Sequence, residues 1–212
     1  MSISDSALVD NIGTDPGLGG AVYADGCELS FDSVSISGST ARFGGAIFSF
    51  AGQLDFVDSE LYGNSADVSG GLWYGLAYNS ESNVITFDET SVYGNSAGYV
   101  GGALMIDGGS EAYCYGSSTT SAGFWDNSAD GLGYGFGGGA IRVYDSTATF
   151  EADTCDFGTD GDRADNTPDD IRTSFGDTAI YDSGEDVVYD TGDGFYNYDD
   201  DASVTCTTSG CE

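Results

Sequence analysis

At 212 residues and 40% hydrophobic content, the chain is long enough for one large all-β domain with a buried core. Its 34 Gly against 2 Pro exclude a helix-rich protein and a Pro-rich linker, the missing Gly-X-Y period excludes collagen, and no apolar run approaches the ~18 residues of a membrane helix. The charge is one-sided, with 36 acidic residues against Arg42, Arg142, Arg163 and Arg172 for a net −32, so nucleic acid and direct membrane insertion are disfavoured as partners.

The chain opens without a basic, apolar leader, so Met1 is not expected to begin an intact secretory precursor. Ser2-Ile3-Ser4-Asp5-Ser6 already occupies mid-repeat columns. Either upstream coils have been removed or the open end docks onto something, which makes this first coil a candidate assembly surface. The organising motif then appears five times: Gly19-Gly20-Ala21-Val22, Gly44-Gly45-Ala46-Ile47, Gly70-Gly71-Leu72-Trp73, Gly101-Gly102-Ala103-Leu104 and Gly138-Gly139-Ala140-Ile141. A second motif precedes it, best in Leu61-Tyr62-Gly63-Asn64-Ser65-Ala66, Val92-Tyr93-Gly94-Asn95-Ser96-Ala97 and Phe124-Trp125-Asp126-Asn127-Ser128-Ala129.

Aligned on the Asn, the repeats show an apolar column of Leu8, Ile36, Leu61, Val92, Phe124 and Cys155, and a second column of Ile3, Phe31, Phe56, Phe87 and Phe150. Between turns lie short alternating segments such as 27–31, 53–57 and 83–87, which read as strands, about three per repeat. The sequence therefore predicts an all-β right-handed parallel β-helix of about six coils over residues 1–158. The Gly pairs are expected to be tight bends, and Asn64, Asn95 and Asn127 a hydrogen-bonded ladder.

Insertions fall at 76–83, 117–123 and 130–137, placing Tyr78, Trp125 and Tyr134 in or beside loops, either packed on the rod or touching a ligand. From 159 to 212 an irregular acidic cap is expected. Its Asp160, Asp162, Asp165 and Asp169 have the oxygen-rich spacing of a calcium loop, with Arg163 inside it. With no His and no Cys-x-x-Cys, zinc is a poor fit for the five cysteines. Cys206 and Cys211 enclose a short loop and read as a terminal disulfide, whereas Cys155 reads as a buried free thiol.

The Gly44 to Ile47 and Phe124 to Asn127 segments resemble the paired Gly-Gly-Ala-Ile and Phe-x-x-Asn signatures of the chlamydial polymorphic membrane proteins, a motif pair shared by many bacterial secreted β-helix repeat proteins. The resemblance spans about residues 2–158, with Leu61, Val92 and Leu72-Trp73 departing from it. The Asp-rich tail with its terminal Cys pair is similar to the ends of surface β-helix proteins from predatory and myxobacterial lineages. The family resemblance implies an extracellular or cell-surface, adhesive and non-catalytic rod, facing a host or prey glycan or protein, or copies of itself.

From the residues themselves, the third position after each Gly pair forms a column of Tyr23, Phe48, Tyr74, Met105 and Arg142. If Val22, Ile47, Trp73, Leu104 and Ile141 point inward, this column points outward and offers an aromatic stripe to a sugar or protein; reversed, it is core. A fibre subunit stacking end to end, with calcium bridging acidic surfaces, is the alternative. A polysaccharide-degrading enzyme fits less well. No Lys or His is present, although Asp55, Asp58, Asp88 and Glu89 could approach one another across coils.

Overall fold

The computed structural model describes residues 1–77, 81–116, 122–131, 137–144, 148–153, 155–157, 166–167, 171–173, 179–182, 195–197 and 204–206. Among these every strand pair is parallel, and the chain winds as a β-solenoid with four faces. The first face stacks eight strands: Ser2–Ser4, Glu28–Asp32, Gln53–Val57, Val84–Asp88, Glu111–Tyr115, Thr149–Asp153, Ala179–Asp182 and Val204–Cys206. The second stacks Ala7–Val9, Ser35–Ser37, Glu60–Tyr62, Ser91–Tyr93 and Gly123–Trp125. The third stacks Thr40–Phe43, Ser65–Ser69, Ser96–Ala97 and Ser128–Ala129. The fourth runs from Val22–Asp25 through Ile47–Phe50, Trp73–Leu76, Leu104–Asp107, Ile141–Val143 and Ile171–Thr173 to Phe195–Asn197.

Each complete coil thus has four sides where three were expected. The extra side is the short Ser-Ala pair just after the Asn, which reads in sequence as part of a turn. Complete four-sided coils begin at Glu28, Gln53, Val84 and Glu111, so the described residues hold about four full turns and not six. Beyond residue 158, strands Ile171–Thr173 and Ala179–Asp182 keep the parallel register of the coils before them.

Corners decide whether such short sides can stack. The first Gly of each pair lies in the left-handed region, with φ between 59° and 73°. The second Gly has another reason. A Cβ on Gly45 would lie far inside van der Waals contact with the carbonyls of Gly71 and Ser65, so the bare backbone is what lets one coil rest on the next. The Gly pairs are bends, as expected, and also the points of closest approach.

Polar ladders satisfy the other corners. The amides of Asn64, Asn95 and Asn127 donate to Oδ1 of Asn95, Asn127 and Asn166 at 3.0 Å, and each also donates to a backbone carbonyl of the preceding coil. The ladder was expected, but its last rung, Asn166, was not. Between the first and second faces, Ser59 Oγ accepts from the Val34 N–H and Thr90 Oγ1 from the Ser59 N–H. Between the fourth and first, Asn83 joins Ser49 and Ser110, while Trp73 donates its indole N–H to Ser49 at 2.8 Å.

The core is columnar. Ile3, Phe31, Phe56 and Phe87 share one register, but the column continues into Cys114 and Ala152. Phe150 belongs beside Ala112 in the neighbouring column, correcting its expected place, and helps fill the space left by the smaller residues through an edge contact with Phe124. Cys155 is likewise not the last member of the Leu8 to Phe124 column. Phe157 is, stacked on Phe124 at 5.6 Å. Nor is Cys155 a free thiol: it is bonded to Cys114 across 41 residues, both fully buried. Cys27 is free and half-buried. The expected Cys206–Cys211 bond lies outside the described residues.

Candidate recognition surface

Strict alternation places Ile47, Trp73, Leu104 and Ile141 in the core cluster, fully buried. Tyr23, Phe48, Tyr74, Met105 and Arg142 then point out from the fourth face in one register. The three aromatic rings form a ladder. Tyr23 stacks on Phe48 at 5.8 Å and 4°, and Phe48 on Tyr74 at 5.4 Å and 11°. Outward does not mean accessible here: Phe48 is 7% exposed, Met105 4% and Arg142 1%, whereas Tyr23 is 55% exposed.

The ladder is extended sideways. Phe43 meets Tyr74 edge-on at 5.6 Å, and the Arg42 guanidinium sits 5.2 Å over the Phe43 ring. Tyr74 also donates its hydroxyl to Asp107 at 2.8 Å. Arg42 lines a cavity of about 310 Å³ on the third face, together with Ile12, Asp15, Pro16, Thr40 and Asp67. Of the two Arg side chains that are described, Arg142 is buried and Arg42 exposed. An aromatic ladder and a polar cavity therefore meet at the Gly44 corner.

Trp125 lies on another face. Its ring stacks on Tyr93 at 5.2 Å and 3°, and Tyr93 on Tyr62 at 5.0 Å and 4°. This second ladder is the feature that sequence reasoning missed, although its signal was present as the residue following Leu61, Val92 and Phe124 in each second motif. Burial, then Glu60 and Tyr62, push the Tyr93 hydroxyl above its ordinary pKa. On the first face, burial and a 2.6 Å hydrogen bond to Glu111 push that of Tyr113 up strongly, with Glu111 and Glu151 adding to the effect.

Tyr78, Tyr134 and the four expected metal ligands Asp160, Asp162, Asp165 and Asp169 lie outside the described residues. Among the described residues no group of His, Cys, Asp or Glu could hold a metal ion. Eight residues, 158–165, separate Phe157 from Asn166, where two separate Phe124 from Asn127. Asp55 and Asp88 stand in different outward columns of the first face, and Asp58 and Glu89 occupy its corner at φ 48° and 50°. Asp55 accepts from Gln53 Nε2 at 3.0 Å.

No family profile matches the chain, and no curated protein or solved structure matches it. What it is similar to is thus the architecture alone: a β-helix repeat protein.

Proposed function

We propose that this chain is a non-catalytic recognition rod of the secreted or cell-surface kind, using the outward aromatic ladder of its fourth face to hold a carbohydrate or protein surface. The observation that carries this reading is Tyr23. It is a 55% exposed ring, braced from one side by the buried Phe48 and followed in its strand by the fully buried Ala24. A flat, fixed ring with a hydroxyl at its tip suits a sugar ring, which needs an apolar face and a hydrogen-bond partner at once. Arg42 and the cavity beside Phe43 supply polar contacts within the same surface. The buried disulfide favours an oxidising compartment. The repeat motifs keep the likeness to the chlamydial surface proteins as the family reading. Binding of the parent chain and of Tyr23→Ala to a glycan array tests this: the variant is expected to lose retention without losing stability.

One observation favours assembly as a second reading. Among the described residues, four of the six exposed large hydrophobic side chains, Met1, Val9, Ile12 and Tyr23, belong to the first coil. Ile3, Leu8 and Val22 are only half-buried, although their register partners Phe31, Ile36 and Ile47 are fully buried. Such an apolar coil would accept another coil in parallel register. Light scattering of the parent and of Val9→Asp/Ile12→Asp separates the two readings. Particles larger than one chain that the variant abolishes support assembly, and a monomer in both cases removes it.

A further inference from the structure

The second-face ladder is the feature that the fourth-face reading does not use. Tyr62, Tyr93 and Trp125 occupy successive rungs, all half-buried, with rings parallel to within 4° and centroids 5.0 and 5.2 Å apart. The centroid distances are close to the ~4.8 Å that separates neighbouring strands, so each coil contributes one ring to the ladder. The three rings form a continuous, half-buried stripe across three coils.

The ladder is flanked on both sides mostly by small residues. On one side runs the register column of Ser35, Glu60, Ser91 and Gly123; on the other is the corner of Gly63, Gly94 and Asp126. A Cβ placed on Gly63 would meet nothing within 4 Å, so this flank is open. Glu60 and Asp126, the charged members of the two flanks, are exposed carboxylates. A half-buried ring takes a guanidinium against the part of its π-face or edge that reaches solvent.

We infer that this ladder is a docking track for an arginine-rich segment of a partner protein. Charge complementarity selects that occupant. A cationic side chain gains from the ring quadrupoles, from Glu60 and Asp126 beside them, and from the field of a chain carrying net −32, whereas a neutral glycan gains from none of these fields. Arg is favoured over Lys because its planar, weakly hydrated group stacks. The track is separate from the fourth face, so Tyr23→Ala leaves it intact.

The test is fluorescence anisotropy with labelled octa-arginine at physiological salt, where diffuse attraction is screened beyond about 8 Å. Tyr62→Ser/Tyr93→Ser keeps the net charge and is expected to weaken binding about tenfold or more. Unchanged affinity would show that charge alone attracts the peptide and would overturn the track. Should the double variant fail to fold, Glu60→Gln is compared with Asp25→Asn, which removes an exposed charge on the fourth face. A loss confined to Glu60→Gln supports the track, and equal losses overturn it. Retention of neutral chito-oligosaccharide that depends on Tyr62 and Tyr93 would also overturn it, assigning the ladder to glycans.

Discussion

Asn95 and Asn127 are joined by two hydrogen bonds that end on one atom: the backbone N–H of Asn95 at 3.1 Å and its side-chain amide at 3.0 Å both donate to Asn127 Oδ1. The same arrangement links Asn64 to Asn95. Asn95 also donates to the Leu61 carbonyl, so one side chain holds the corners of three coils together. Asn95→Ala strips partners from several buried groups at once. A loss of about 3 kcal/mol or more is expected by urea denaturation, since each orphaned buried group costs roughly 1–3 kcal/mol.

The two kinds of corner glycine should respond differently. Gly45→Ala drives a methyl into the Gly71 carbonyl of the next coil and is expected to prevent folding or to lower the melting temperature by many degrees. Gly63→Asn keeps a left-handed residue at a corner where Asp126 already sits at φ 54°, in open space. Its cost is expected to stay below about 1 kcal/mol, and circular dichroism melts of the pair make the comparison.

Cys114→Ser/Cys155→Ser removes the covalent tie between two coils. The expected loss is about 2–4 kcal/mol, measured by denaturation against the parent. Non-reducing peptide mapping should recover the Cys114–Cys155 pair.

Tyr93 and Tyr113 both ionise less readily in the fold, through burial first and then through Glu60 and Tyr62 for one, and Glu111 and Glu151 for the other. Raised folded values mean that their contribution is fully present below the ordinary tyrosine pKa of about 10 and is lost as pH rises toward the folded values. Stability should therefore fall as pH rises above about 10. Tyr113→Phe should shrink that dependence and remove a late-ionising component from the tyrosinate absorbance titration.

Much of this was legible because stacking forces repetition onto the sequence. The Gly pairs mark where coils touch, the Asn ladder marks one corner, and the Val22 to Ile141 column lies on the core side because a strand's faces alternate. What escaped had a physical cause in each case. The third face is as short as Ser96–Ala97, too short to show the alternation that marks a strand. Asn166 was displaced from its column by an acidic insertion that shifts the count without shifting the rung. Cys114 was hidden because it replaces a Phe in a column whose bulk returns from Phe150, two register positions away in the neighbouring inward column. Phe48 shows the limit for the surface: its direction followed from alternation, but its 7% exposure depends on neighbours that alternation does not count.

The account rests most directly on Tyr23 being a binding residue and not a packing residue. Retention on a glycan array, read beside the melting temperature of parent and Tyr23→Ala, addresses this in one comparison. The prediction is retention by the parent, a drop of about tenfold or more in the variant, and an unchanged melting temperature. Equal retention by both chains, no retention by the parent, or a large loss of stability in Tyr23→Ala would contradict it.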